Sequence, residues 1–121
     1  MTKEDTEPMD NPHRIQVRLR FTREQYEQLT QGYNPEAMED KWFIYVEDNV
    51  IHIHRSWTGY ETFYAKLLPD KDGSYVITEL FAERNSKKYG NTDDERDATL
   101  FPKVLGYLVL NVNPNNLKEK P

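Results

Sequence analysis

Alternation of apolar and polar residues predicts a largely antiparallel sheet. Residues 14–21 alternate strictly, as a half-buried strand does. Residues 41–68 contain three more strand-like segments separated by two turn signals, and residues 74–84 resume the alternation. The pattern therefore predicts an antiparallel meander of four strands, joined by a fifth strand from the N-terminal region.

The first turn of the meander, Asp48-Asn49, has the length and composition of a two-residue hairpin turn. Such a turn fixes which residues face each other across the strands. On one face the predicted pairs are Val46 with Ile51, Ile44 with Ile53, and Trp42 with Arg55. On the other face they are Tyr45 with His52 and Phe43 with His54.

The second turn is predicted at Thr58-Gly59, with a longer loop over residues 56–60 as the alternative. A tight turn would place Ile53 beside Tyr64, His54 beside Phe63 and His52 beside Ala65. One face would then carry an apolar and aromatic row: Phe43, Tyr45, His52, His54, Phe63, Tyr75, Ile77 and Phe81. A helix, a partner chain or a ligand must cover such a face.

Two capping boxes predict helices after the first strand and near the C-terminus. Thr22 to Gln25 opens a short helix, and Thr92 to Glu95 opens the most apolar helical segment. Pro102 either kinks that segment or begins a second helix, so a C-terminal helix pair is expected. The fold class is α+β, with one domain over residues 14–112, a disordered tail over 1–13 and a frayed tail over 113–121.

Composition limits the classes of partner and chemistry that we expect for this chain. A length of 121 residues suits one domain, and a net charge of −5 argues against broad nucleic-acid binding. The chain has no cysteine, which excludes disulfides and thiol catalysis. No apolar run is long enough for a membrane span, so no membrane partner is expected and the cytoplasm is the default location. No phosphate-loop or dinucleotide fingerprint is present, and we expect no cofactor.

His52 and His54 lie two apart on one strand and so point the same way, as two imidazole ligands of a metal would. A third ligand would come from Glu61 or Glu79. Aromatic neighbours favour packing of these histidines over ligation, so no metal site is predicted. An acid–base cluster of His54 with the two glutamates keeps a small hydrolase or transferase open as an alternative.

Residues 55–59 form the most distinctive segment, RSWTG. Arg55 needs a partner. One alternative is the ring of Trp42 or Trp57 together with a carboxylate or helix-end carbonyls, and the other is an anion that Ser56 and Thr58 would also bind. The predicted ligand-binding residues are Arg55, Ser56, Trp57, Thr58, Trp42, Tyr45 and His54.

The pattern W-x-x-Y-x-E-x-N-x-I-x-x-H-R-S-W-T-G, over residues 42–59, resembles a small family of uncharacterised bacterial domains with an RSWTG-type core. The resemblance extends through the acidic residues 92–97 into the last helix. It implies that residues 55–59 act as a unit and attaches no activity to them.

These observations favour a non-catalytic binding or accessory module that recognises an anionic small molecule or a protein partner. The first alternative is the small hydrolase or transferase described above. The second is a homodimer in which the aromatic face is the interface.

Overall fold

The structure, a computed structural model, describes residues 2–37 and 39–119. These residues form one six-stranded sheet with two helices. The strands are β1 (Pro12–Phe21), β2 (Trp42–Glu47), β3 (Val50–Arg55), β4 (Glu61–Lys66), β5 (Leu68–Pro69) and β6 (Tyr75–Glu83). The helices are α1 (Arg23–Gln31) and α2 (Asp94–Val104), and α2 continues as a π-helical stretch, Leu105–Leu110. Short 3₁₀ turns cover Lys3–Asp5 and Pro114–Leu117.

The strand order is β1-β6-β4-β3-β2, with β5 paired to β6, and every pairing is antiparallel. The predicted α+β class and antiparallel meander are therefore confirmed. Both helices pack on one face of the sheet, which we call the core face. There Phe63 meets Phe101 of α2 edge to face, with ring centroids 5.7 Å apart. No helix within the described ranges is long and apolar enough to cross a membrane.

Both predicted helix starts are present. Thr22 accepts a hydrogen bond from Gln25 N, and the Gln25 side chain accepts one from Thr22 N, which completes the predicted capping box. The second helix is capped by Asp93, one residue later than the predicted Thr92. Pro102 lies inside α2, so the structure has one helical run that contains the proline where we expected a helix pair.

The first hairpin has the predicted register. Val46 faces Ile51, Tyr45 faces His52, and Trp42 faces Arg55. The turn residues Asp48 and Asn49 both adopt the left-handed region, with φ of 53° and 60°, as a type I′ turn requires.

The second hairpin departs from the tight-turn prediction. Residues 56–60 form the longer loop that was the alternative, and the pairing shifts by one residue between Ile53 and His54. Ile53 consequently faces Phe63, and His54 faces Glu61. A shift of one residue exchanges the two faces of a strand. The prediction that Phe63 lies beside His54 on the aromatic face is therefore wrong, since Phe63 is fully buried on the core face.

The residues of β6 are also divided between the two faces differently from the prediction. The prediction placed Tyr75, Ile77 and Phe81 together on the aromatic face, but the β1–β6 pairing shifts between Gln16 and Leu19. Ile77 packs in the core, and so do Leu80 and Ala82 further along the strand. Phe81 stays on the opposite face, where it stacks on Tyr64 with centroids 4.8 Å apart. We call that second face, which carries Tyr45, His52 and His54 on the central strands, the outer face.

The segment predicted as a disordered tail lies on this outer face. Met9 N donates to Glu61 Oε1 at 3.2 Å, and Glu7 forms a parallel bridge with Tyr60. Lys3 pairs with Glu47 at the far end of β2. Residues 2–11, the N-terminal segment, therefore supply part of the cover that the outer face needs. At the other end of the chain, Leu117 is buried and Lys118 bridges to Leu19 on β1.

Candidate functional site

The loop between β3 and β4 holds the RSWTG segment in a fixed shape. Arg55 N donates to Tyr60 O at 2.9 Å, and Gly59 N donates to Arg55 O at 2.8 Å. Gly59 has φ of 76°, a conformation that glycine adopts without steric cost. A Cβ at this position would lie 2.2 Å from Asp5 O. Glycine is therefore required both by the backbone conformation and by the close approach of the N-terminal segment.

A cavity of about 560 Å³ opens beside this loop, which we call the basic pocket. Its cationic lining residues are Lys41, Arg55, Lys87 and Lys88. Its aromatic lining residues are Trp57, Tyr60 and Tyr89, and one carboxylate, Glu39, also reaches it. The chain as a whole is acidic, so this is a local concentration of positive charge.

Arg55 contacts Trp42, one of the two rings predicted as its partner. Its guanidinium carbon lies 5.2 Å from the ring centroid of Trp42, which is a cation–π contact. Within residues 2–37 and 39–119, no carboxylate forms an ion pair with Arg55, Lys41 or Lys87. Arg55 is also exposed. Its fork of N–H donors is therefore open to an anion in the pocket.

Lys88 is held more firmly. Its Nζ lies 3.3 Å from Glu7 and 3.2 Å from Asp10, and 4.9 Å from the centroid of Tyr60. Desolvation alone would lower the pKa of Lys88, but its hydrogen bonds to Asp10 and Glu7 outweigh that and raise it. Lys88 thus ties the N-terminal segment to the wall of the pocket.

The far wall of the pocket, residues 85–91, rests on a buried carboxylate. Asp97 is fully buried and accepts a hydrogen bond from Tyr89 OH at 2.6 Å. Its other oxygen lies 2.8 Å from Arg84 Nη1. Burial is the main cause that raises the pKa of Tyr89, and the hydrogen bond to Asp97 adds to it. This network fixes the loop that carries Lys87 and Lys88.

The hydroxyl groups of the loop have separate tasks. Ser56 Oγ donates to Asp40 O, and Ser56 N donates to Lys41 O at 2.8 Å, so Ser56 anchors the loop to the start of β2. Thr58 Oγ1 accepts a hydrogen bond from Tyr60 N at 3.2 Å, which leaves its own proton to donate. Trp57 is 74% exposed at the mouth of the pocket.

A second cluster lies on the outer face, behind the same loop. His52 Nδ1 is 2.5 Å from Glu61 Oε2, and His54 Nε2 is 3.5 Å from the same oxygen. We call these three residues the His–Glu cluster. Tyr45 stacks on both imidazoles, with centroid distances of 4.8 Å to His52 and 5.5 Å to His54.

The two buried residues of the cluster, His54 and Glu61, are each held by a backbone group outside the cluster. His54 Nδ1 lies 2.9 Å from Gly59 O, and Glu61 Oε1 accepts from Met9 N. Burial is the main cause that lowers the pKa of His54. Within the described residues, His54 Nε2 is buried and has no hydrogen-bond partner.

The structure divides the predicted ligand-binding residues between different places. Arg55, Ser56, Trp57 and Thr58 line the basic pocket together. Trp42 lies beneath Arg55 on the core face and lines a neighbouring cavity of about 400 Å³. Tyr45 and His54 lie on the outer face with His52 and Glu61.

Sequence reasoning missed the lysines of the pocket. Residues 85–91 are mostly polar and contain no recognised motif, and nothing local connects Lys87 or Lys88 with the RSWTG loop about thirty residues earlier. The available signal was the pair of adjacent lysines beside Tyr89-Gly90, a basic and aromatic turn. Of the two glutamates considered, Glu61 joins the histidines, whereas Glu79 pairs with Arg14 at 2.7 Å.

Comparison with protein-family models, with curated proteins and with solved structures found no match. The resemblance to domains with an RSWTG-type core therefore stays a prediction.

Proposed function

We propose that the protein is a binding module for an anionic small molecule that carries a planar ring, a nucleotide-like ligand, and that the basic pocket is its site. The observation that carries this proposal is the composition of the pocket. Four cationic side chains and three aromatic rings line one cavity, with a single carboxylate among them.

Charge supports an anionic ligand. Lys41, Lys87 and Arg55 reach the cavity without a carboxylate partner within the described residues. Hydrogen bonds to charged groups are worth about 1.5–3 kcal/mol, and the planar fork of Arg55 can hold two phosphate oxygens at once. A phosphate group is the simplest anion that would satisfy several of these donors.

The size and aromatic lining of the basic pocket support a ligand that contains a planar ring. The volume of about 560 Å³ lies within the range of small-molecule sites. Trp57 and Tyr60 line the pocket, and stacking of a base on an aromatic side chain contributes about 1–3 kcal/mol.

Thermal shift followed by isothermal titration calorimetry tests the proposal. The panel contains AMP, ADP, ATP and ADP-ribose, together with inorganic phosphate and adenosine as the separate halves. We expect at least one phosphorylated nucleoside to raise the melting temperature by mass action. We also expect it to bind more tightly than either half.

The decisive variants are Arg55→Ala and Lys87→Ala. Each substitution should lower the affinity for the nucleotide about 10- to 100-fold, the loss expected when a hydrogen bond to a charged group is removed. Arg18→Ala is the matched control, because Arg18 is exposed on β1 and carries the same charge outside the pocket. The proposal fails if no compound of the panel binds, or if Arg18→Ala weakens binding as much as Arg55→Ala.

A further inference from the structure

The His–Glu cluster has a feature that side-chain packing does not explain. His54 is 1% exposed and its Nδ1 lies at hydrogen-bonding distance from Gly59 O. A carbonyl oxygen only accepts, so Nδ1 carries the proton and Nε2 presents a lone pair. That lone pair lies 3.5 Å from Glu61 Oε2, a second acceptor. Two buried acceptors that face each other do not bond directly, and a metal ion between them would bind both.

From this geometry we propose that His52, His54 and Glu61 form a binding site for a divalent transition metal ion of the Zn²⁺ class. The proposal does not depend on the basic pocket. Zn²⁺ takes imidazole nitrogens and carboxylate oxygens at about 2.0–2.2 Å, which places the ligand atoms about 3.4 Å apart in a tetrahedron. The ligand atoms of the three residues all lie within 4.8 Å of one another.

The separations need only small adjustments. The distance from His54 Nε2 to Glu61 Oε2, 3.5 Å, already suits a shared ion. The 2.5 Å contact between His52 Nδ1 and Glu61 Oε2 must open, and the proton shared there leaves as the metal enters. His52 is the most exposed of the three, with 23% of its side chain accessible, so it can move.

The surroundings of the cluster match those of metal sites. Metal-bound histidines almost always donate their other N–H to a carbonyl or carboxylate, and bound carboxylates are themselves hydrogen-bonded. Gly59 O has that relation to His54, and Met9 N has it to Glu61. Three protein ligands leave a fourth position in a tetrahedral site for water or another ligand.

Metal titration of the chain and of single-residue variants tests the proposed site. The unmodified chain is stripped with a chelator and titrated with Zn²⁺, and Co²⁺ is bound in parallel because its visible spectrum reports tetrahedral nitrogen and oxygen ligation. We expect one equivalent of metal per chain. His52→Ala and Glu61→Gln should each lower the affinity by at least about 100-fold, the upper end of the loss seen for outer-shell partners.

His13→Ala is the control, because His13 is the remaining histidine and pairs with Asp94 on the surface at 2.9 Å. It should leave metal uptake unchanged. His52 and Glu61 are chosen over the more deeply buried His54, and circular dichroism checks that each variant folds. Absence of stoichiometric uptake by the unmodified chain would overturn the proposal. Folded His52→Ala and Glu61→Gln variants that bind the metal as tightly as the unmodified chain would also overturn it, and so would loss of uptake in His13→Ala.

Discussion

The two hairpins that share β3 differ in regularity. The β2–β3 hairpin turns over two residues, Asp48 and Asn49, and keeps one register along its whole length. The β3–β4 hairpin turns over residues 56–60 and changes register between Ile53 and His54. The candidate chemistry lies at the irregular hairpin: the basic pocket opens beside its loop, and the His–Glu cluster lies at its shift of register.

The shift of register explains how one strand serves both faces. Because Thr62 is the extra residue, Phe63 turns to the core, while Glu61 remains opposite His54 on the outer face. Without the extra residue, strict alternation would put Glu61 and Phe63 on one face. Bulges of this kind commonly re-aim side chains next to functional sites. The regular hairpin provides the frame, and the irregular one positions the side chains of the two proposed sites.

The largest expected effect tests the orientation of β4. Phe63 is fully buried against Phe101, so Phe63→Ala should cost about 3–5 kcal/mol of unfolding free energy. Its neighbour Tyr64 is half-buried on the outer face and stacks on Phe81, so Tyr64→Ala should cost at most about 2 kcal/mol. Urea denaturation measures both. A larger loss for Tyr64→Ala would mean that β4 has the tight-turn register.

The next effect concerns the attachment of the N-terminal segment. Glu83 is fully buried and accepts hydrogen bonds from Asp10 N, Asn11 N and Asn85 N, at 2.8, 2.8 and 3.0 Å. Burial would raise the pKa of Glu83, but these backbone amides outweigh it and hold the pKa below its usual 4.5. The stabilisation is therefore complete above pH 4.5 and is lost as the pH falls through the folded value.

Glu83→Gln should consequently cost about 1.5–3 kcal/mol at neutral pH. It should also flatten the fall of stability in acid, because glutamine does not titrate. Denaturation series across this pH range measure both effects. Glu79→Gln is the control: it removes an exposed ion pair with Arg14 and should cost less than about 1 kcal/mol. Equal losses for the two variants at neutral pH would show that residues 10 and 11 are not held by Glu83.

The smallest effect isolates the contact between the N-terminal segment and the RSWTG loop. Gly59 and Gly73 both have positive φ, 76° and 88°, so alanine at either position costs about 1–3 kcal/mol of backbone strain. Only at Gly59 would the new Cβ also meet Asp5 O, since nothing lies within 4 Å of the position at Gly73. Gly59→Ala should therefore cost about 1 kcal/mol more than Gly73→Ala.

Hydrogen exchange gives this comparison a local readout. Glu7 N donates to Gly59 O at 2.9 Å, so Gly59→Ala should speed exchange of the Glu7 amide while Gly73→Ala leaves it unchanged. Equal stability losses for the two variants, with unchanged exchange of the Glu7 amide, would show that the N-terminal segment does not pack against Gly59.

The sequence predicted the frame because its signals are local. Asp48-Asn49 determines a turn whose geometry sets every pair of the first hairpin, and Thr22 with Gln25 determines the start of α1. It did not predict the bulge, because the apolar pattern of residues 61–65 fits either register and long-range packing against Phe101 decides between them. The same limit hid the basic pocket, whose two walls are distant in sequence. The apolar outer face did indicate a need for cover, but a charged, proline-containing segment gave no sign that it would provide it.

Cross-strand NMR contacts test most directly the claim that an irregular β3–β4 hairpin positions the candidate sites. Nuclear Overhauser effects between backbone protons of facing residues identify the pairs of an antiparallel sheet. The structure predicts contacts from Ile53 to Phe63 and from His54 to Glu61. Contacts from Ile53 to Tyr64 and from His54 to Phe63 would establish the tight two-residue turn instead, and would separate Glu61 from His54.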